Sequence, residues 1–167
     1  MRERLKTKLT RWSFNLFPAY LATGARITCM SDDLREVNVK LPLNWRTKNY
    51  VGTIFGGSMY AAVDPVYMTM LMKNLGPEYV VWDKAANICF KKPGRGTLYA
   101  RFTLDGEEIA YIETMLNASS SVELEYLVDL TDESGEVCAS VGETLCIRRK
   151  SEARQQSGRL QEIEQRA

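Results

Sequence analysis

The segment from Asn49 to Leu75, NYVGTIFGGSMYAAVDPVYMTMLMKNL, constrains this chain more than any other. Three glycines, Gly52, Gly56 and Gly57, open it. Adjacent glycines permit a backbone turn that residues with a Cβ resist. A long apolar run follows, with Met59, Ala61, Ala62, Val63, Val66, Tyr67, Met68, Met70, Leu71 and Met72. A helix that is apolar on all sides is expected to be buried on all sides. The rest of the chain must then supply its wrapping. Lys73-Asn74 and Gly76-Pro77 mark where the run ends.

One carboxylate, Asp64, stands inside the run and is followed by Pro65. Two readings are open. Asp at an N-cap with Pro at the first helical position is a common helix start. It would leave a short helix from Pro65 to Asn74, with Asp64 as a cap and nothing more. If the helix starts at Gly57 instead, Pro65 kinks it and leaves the Ala61 carbonyl without its usual partner. Asp64 is then an acid among apolar side chains. Such a group must find a polar partner or hold its proton more tightly than usual.

The remaining chain reads as the wrapping. Period-two alternation predicts strands over 25–30, 36–43, 79–90, 97–104, 120–130 and 136–149. Turn signals separate them: Ser31-Asp32-Asp33, the basic Lys91–Gly96 stretch, Asp105-Gly106 and 132–135. Hairpin-linked strands in this order imply an antiparallel meander. Residues 106–119 read as a short helix or a loop, because Ile109, Ile112 and Leu116 fit one helical face and Glu107-Glu108 suit a first turn. Ahead of the strands, Leu5, Leu9, Trp12 and Leu16 recur at helical spacing, with Phe14 and Phe17 nearby and Pro18 as a kink or stop. A helix or helix pair that lays aromatics on the domain is predicted there. Because its polar face is basic, a helix lying on a membrane surface is the other reading. The fold class is therefore α+β. A single domain spans 1–149, with 1–24 as an N-terminal helical extension and 150–167 as a polar tail.

Composition removes several function classes. No histidine occurs, which excludes Ser-His-Asp and Cys-His catalysis and His-ligated zinc. The formal net charge of +1 provides no bulk field for nucleic-acid or membrane binding. The four cysteines, Cys29, Cys89, Cys138 and Cys146, form no CxxC pair and show no metal spacing. They read as inert buried thiols in a reduced, cytoplasmic setting, with a four-cysteine metal site as the alternative. No metal or cofactor is called for, and no run reaches the roughly 20 apolar residues of a membrane span.

The element order resembles the hotdog fold, in which a curved antiparallel sheet wraps one central helix. Asn49, Gly52, Phe55-Gly56-Gly57 and Asp64 fall on the signature spacing of the small phenylacetyl-CoA-type (PaaI-like) thioesterases of that fold, except that Phe55 stands where those enzymes carry histidine. Ile88-Cys89-Phe90-Lys91-Lys92-Pro93 and Gly135-Glu136-Val137-Cys138-Ala139 through Gly142-Glu143-Thr144 resemble the later strands. The match covers about residues 25–149 and is most similar to a domain-of-unknown-function group, DUF4442, placed beside those thioesterases.

The resemblance implies hydrolysis of an acyl thioester, most simply an acyl-CoA, by a homodimer or homotetramer. It implies a site built across a subunit interface, with Asp64 of one copy facing Asn49 and Gly57 of the other. The chemistry needs a polarised carbonyl and a carboxylate. Gly57, with Gly56 beside it, offers N–H groups at a helix N-terminus for the oxyanion. Asp64 is the base or nucleophile, and Asn49 orients water or binds the thioester oxygen. Phe55, Gly56, Tyr60 and Met68 would line the substrate site, and Lys91, Lys92 and Arg95 would meet the phosphates of coenzyme A. Each has a plainer reading: turn residues for Asn49 and the glycines, packing for Tyr60 and Met68, a solvated hairpin tip for the three cations. The phenylalanine in place of histidine motivates a second function, a non-catalytic acyl or lipid binder, and a module serving chiefly for assembly is the third.

Overall fold

The computed structural model describes residues 4–150. The polar tail expected over 150–167 lies outside them except for Lys150. The chain opens with α1 (Leu5–Leu16) and α2 (Pro18–Thr23), so the N-terminal segment is a helix pair. Pro18 divides them as expected. It forces Phe17 into an extended conformation and then serves as the first residue of α2. Of the aromatics there, only Phe14 and Tyr20 lie on the domain, packed edge-to-face at 4.8 Å. Trp12 and Phe17 point outward.

The remaining elements are β1 (Arg26–Met30), β2 (Glu36–Leu41), α3 (Gly56–Leu75), β3 (Tyr79–Phe90), β4 (Leu98–Thr103), α4 (Gly106–Ala118), β5 (Ser121–Thr131) and β6 (Val137–Arg149). The strands form one antiparallel sheet in the order β1-β2-β4-β5-β6-β3, wrapped around α3 as the hotdog resemblance implies. This is not the expected meander. β3 does not pair with β4. It runs along β6 from Tyr79↔Arg149 to Phe90↔Ala139 and forms the far edge of the sheet. Strand lengths explain the choice. β3 and β6 are 12 and 13 residues long, whereas β4, with 6 residues, matches the 6 of β2. Each pairing satisfies the most backbone groups. The basic segment after Phe90 is therefore a crossover, not a hairpin tip.

Residues 106–118 form a helix because Asp105 caps it, accepting from the Glu108 N–H at 2.7 Å, while Ile109, Ile112 and Leu116 are buried. The expected turn at Asp105-Gly106 is thus a helix start. The alternation of β4 and β5 places Leu98, Ala100, Phe102, Val122, Tyr126, Val128 and Leu130 on the inner face. They meet Ala62, Val63, Val66, Met70 and Leu71 of α3, all buried. Tyr67 stacks on Tyr126 at 4.3 Å and meets Phe102 edge-on at 5.0 Å.

α3 is not buried on all sides. Met72 is exposed, and Tyr60, Asp64 and Met68, each four residues apart, are half-open. Nor are all the thiols buried: Cys138 and Cys146 are, Cys29 is half-buried and Cys89 is exposed. Among the described residues, the rest of the chain leaves the half-open stripe of α3 and the outer edge of β3 uncovered.

Candidate functional site

The loop before α3 is held from three directions. The Phe55 N–H donates to the Thr47 carbonyl at 2.8 Å, the Ile54 N–H to the Gly94 carbonyl at 2.9 Å, and the Asn49 N–H to the Thr53 carbonyl at 2.8 Å. The Asn49 side chain works within this loop. Its Oδ1 accepts from the Val51 and Thr53 N–H groups, and its Nδ2 donates to Thr53 Oγ1 at 2.9 Å. Gly52 sits at φ +84°, a left-handed conformation that glycine adopts freely.

The helix then begins at Gly56 and runs unbroken past Pro65 to Leu75. Asp64 is therefore an interior residue and not an N-cap. Pro65 removes one helical hydrogen bond, and the neighbouring Ala62 carbonyl gains the Tyr20 hydroxyl at 3.1 Å. At the other end, Ser58 and Met59 donate to the Phe55 carbonyl, and no side chain caps the helix. Among the described residues no acceptor meets the N–H groups of Gly56 and Gly57. The first turn of a helix leaves such donors unsatisfied and positive.

These two glycines, with Tyr60, form one wall of an open cleft of about 460 Å³. The other wall is the edge strand, through Ala86, Asn87, Ile88 and Phe90. A Cβ on Gly56 would lie 2.7 Å from Phe90 Cζ, and one on Gly57 would collide with the Phe55 ring. The pair thus keeps the floor of the cleft at backbone level between two half-exposed aromatic rings.

Behind the cleft lies a polar cluster. The Tyr60 hydroxyl donates to Asp64 Oδ1 at 2.6 Å. Burial, and then this bond, push the Tyr60 hydroxyl well above the usual tyrosine range. Asp83 of β3 and Glu143 of β6 belong to the same cluster, where burial first and the neighbouring carboxyls second disfavour their charged forms. Glu143 is 2% exposed, and neither of its carboxyl oxygens has a hydrogen-bond partner among the described residues. Its burial, with the nearby Asp83 and Asp64, pushes it up to about 8. Asp83 is likewise raised, mainly by burial, and its Oδ1 has no hydrogen-bond partner among the described residues. No group of three or more His, Cys, Asp or Glu among the described residues is placed to hold a metal ion.

The structure thus brings Gly56, Gly57 and Tyr60 to one cleft, with Phe55 at the Gly57 side and Asp64 behind. Met68 lies one turn further along the same face of α3. Lys91, Lys92 and Arg95 do not line this cleft. Lys92 pairs with Glu136, and Lys92 and Arg95 border a separate hollow shared with Asp132, Glu133 and Glu136. Asp83 and Glu143 are missing from the sequence reading of the site. The signal for them was present. The alternation Ala139, Val141, Leu145, Ile147 puts Glu143 on the inner face, and that of Val81 does the same for Asp83.

A family model, the domain of unknown function DUF4442, matches residues 6–147. The chain belongs to the DUF4442 family. No curated protein matches it. Solved structures do. A Pseudomonas aeruginosa protein of unknown function, described as a probable thioesterase, is 22% identical with a TM-score of 0.76, covering 89% of this chain and 99% of its own. A Chlorobaculum tepidum protein of unknown function is 15% identical with a TM-score of 0.69, over 87% of this chain and 95% of that one. A Haemophilus influenzae thioesterase is 16% identical with a TM-score of 0.65, over 88% and 93%. At these identities the likeness shows the hotdog fold. The DUF4442 chain has no helix, among its described residues, long and apolar enough to cross a membrane.

Proposed function

We propose that this DUF4442 chain is an acyl-thioester hydrolase acting on an acyl-CoA or a related thioester. The observation that carries the reading is the uncapped glycine pair at the start of α3, opening on a cleft whose Tyr60 leads back to Asp64. In the proposed reaction the thioester carbonyl oxygen accepts from the Gly57 N–H, with Gly56 beside it, as negative charge develops. Asp64 either deprotonates an attacking water or attacks the carbonyl carbon itself. The tetrahedral intermediate then collapses and expels the thiolate, which takes up a proton. Where Asp64 itself attacks, this leaves an acyl–Asp64 anhydride that a water molecule then hydrolyses, releasing the free acid and restoring the carboxylate.

Helix geometry sets a further requirement. Gly57 and Asp64 are seven residues apart, about 10 Å along the axis. Both cannot touch one carbonyl from the same helix. The reading therefore needs two copies, with Asp64 of one chain facing Gly57 of the other. The free edge of β3, whose residues from Lys84 to Asn87 are exposed, is the natural seam, because a long unpaired edge invites a second strand. Asn49 enters as the residue that shapes the loop behind the oxyanion donors.

A second reading is a non-catalytic acyl or lipid binder on the same scaffold. Phe55 and Phe90 favour it, since two exposed rings at the glycine pair give the cleft an apolar mouth. A panel of acyl-CoAs with free-thiol detection separates the two. Thiol release supports the hydrolase. A co-purifying acyl ligand in native mass spectrometry, with no thiol release across the panel, supports the binder. The same spectra report whether the chain assembles as a dimer or tetramer, as the two-copy site requires.

A further inference from the structure

Helix α1 is docked inside out. Its inward side is largely polar. Thr7, buried, donates to Asp32. Asn15 donates to the Ile27 carbonyl at 2.9 Å and accepts from the Ile27 N–H at 2.8 Å, which clamps the helix to β1. Leu5, Leu9, Trp12 and Leu16 fall on the opposite side, spaced four, three and four residues apart, and stand 75%, 62%, 58% and 61% exposed. At about 100° per residue they share a stripe roughly 60° wide. Lys6 and Lys8 flank that stripe, one on each side. Phe17 and Leu21 carry exposed apolar surface on through α2. A helix of a water-surrounded domain turns its apolar stripe to the core; this one turns it away.

We propose that α1 and α2 form a docking face for an anionic lipid bilayer, on which α1 lies in the plane of the headgroups. Charge complementarity decides for this occupant. The whole chain carries a net charge of +1, yet residues 1–12 hold Arg2, Arg4, Lys6, Lys8 and Arg11 against Glu3 alone. Arg4 pairs with Asp32, and Lys6 and Lys8 beside the stripe carry the attraction. The stripe itself is rich in large apolar side chains and contains a tryptophan, the residue that settles at the boundary between headgroup and acyl chain. The two flanking lysines can lay their stems on apolar surface and hold their ammonium groups among the phosphates. The face lies on β1, at the opposite edge of the sheet from β3. Pairing of two copies through β3 leaves it uncovered.

Cosedimentation of the full chain with vesicles tests this. One set is phosphatidylcholine alone, the other phosphatidylcholine with a quarter phosphatidylglycerol. The chain is expected to sediment with the anionic set only, and to release in high salt. Leu9→Glu with Trp12→Glu is expected to weaken partition by about tenfold or more. Lys6→Ala or Lys8→Ala is expected to weaken it by roughly fivefold each. These side chains are exposed, so thermal midpoints stay unchanged. Leu127→Glu, at an exposed leucine on another part of the surface, leaves binding intact. Failure to sediment, equal binding to neutral vesicles, or binding unaffected by the Leu9/Trp12 change overturns the proposal. So does a shift in assembly size caused by that change in the absence of any vesicle binding, which would assign the stripe to a second copy.

Discussion

Tyr60 and Asp64, one turn apart on α3, are joined by a 2.6 Å hydrogen bond from the tyrosine hydroxyl to Oδ1 of the acid. The bond links the glycine cleft to the carboxyl cluster behind it. It also supplies the polar partner that an acid in an apolar helix needs.

Tyr60→Phe removes that donor and little packing. The loss expected is about 1–3 kcal/mol of stability, the cost of leaving the acid without its hydrogen-bond partner. A shift of the urea midpoint with an unchanged slope measures it.

Glu143 gives a pH dependence with a definite sign. Its folded carboxyl titrates at about 8, against an ordinary value of 4.5. Between those values the folded state holds a proton that the unfolded chain has released. The contribution of Glu143 to stability is therefore greatest below about 4.5 and is lost as pH rises toward 8. Asp83, also raised, adds in the same direction. Glu143→Gln removes the Glu143 contribution. Urea midpoints at acid and mildly alkaline pH are expected to differ less in this variant than in the native chain, and the variant is expected to be the more stable of the two at alkaline pH.

Gly56→Ala places a methyl group against the tip of the Phe90 ring. That ring is half-exposed and can swing aside, and the first position of a helix accepts alanine. The fold should persist with little change in thermal midpoint, while the cleft floor rises and thioester turnover falls. Phe90→Ala in the same chain should restore part of that turnover, a coupling read by a double-mutant cycle.

Asn49→Ala removes the side chain that holds the Val51 and Thr53 N–H groups. About 1–3 kcal/mol of stability should be lost. Hydrogen exchange should rise at Val51 and Thr53 before it rises elsewhere.

Much of the fold was legible because its signals are local. The glycine pair, the apolar run and the alternation of Val122 to Leu130 each sit in one short window. The cap at Asp64-Pro65 was a real alternative, because propensity alone cannot weigh a lost hydrogen bond at Pro65 against burial of the turns before it. The place of β3 was illegible for another reason. A basic Pro-Gly segment between two strands looks like a hairpin, and only the match in length between β3 and β6 sends the chain across the sheet. The acid cluster was half-legible. Alternation puts Asp83 and Glu143 on the inner face, but their meeting with Asp64 depends on three elements far apart in the chain.

The role of Asp64 is tested most directly by thiol release from the best acyl-CoA substrate, comparing the native chain with Asp64→Asn under conditions where both are folded. The amide keeps the shape and loses the base, so kcat/KM should fall by about 10²–10⁴-fold. Turnover by the variant at the native rate would contradict the assignment of Asp64 to the chemistry.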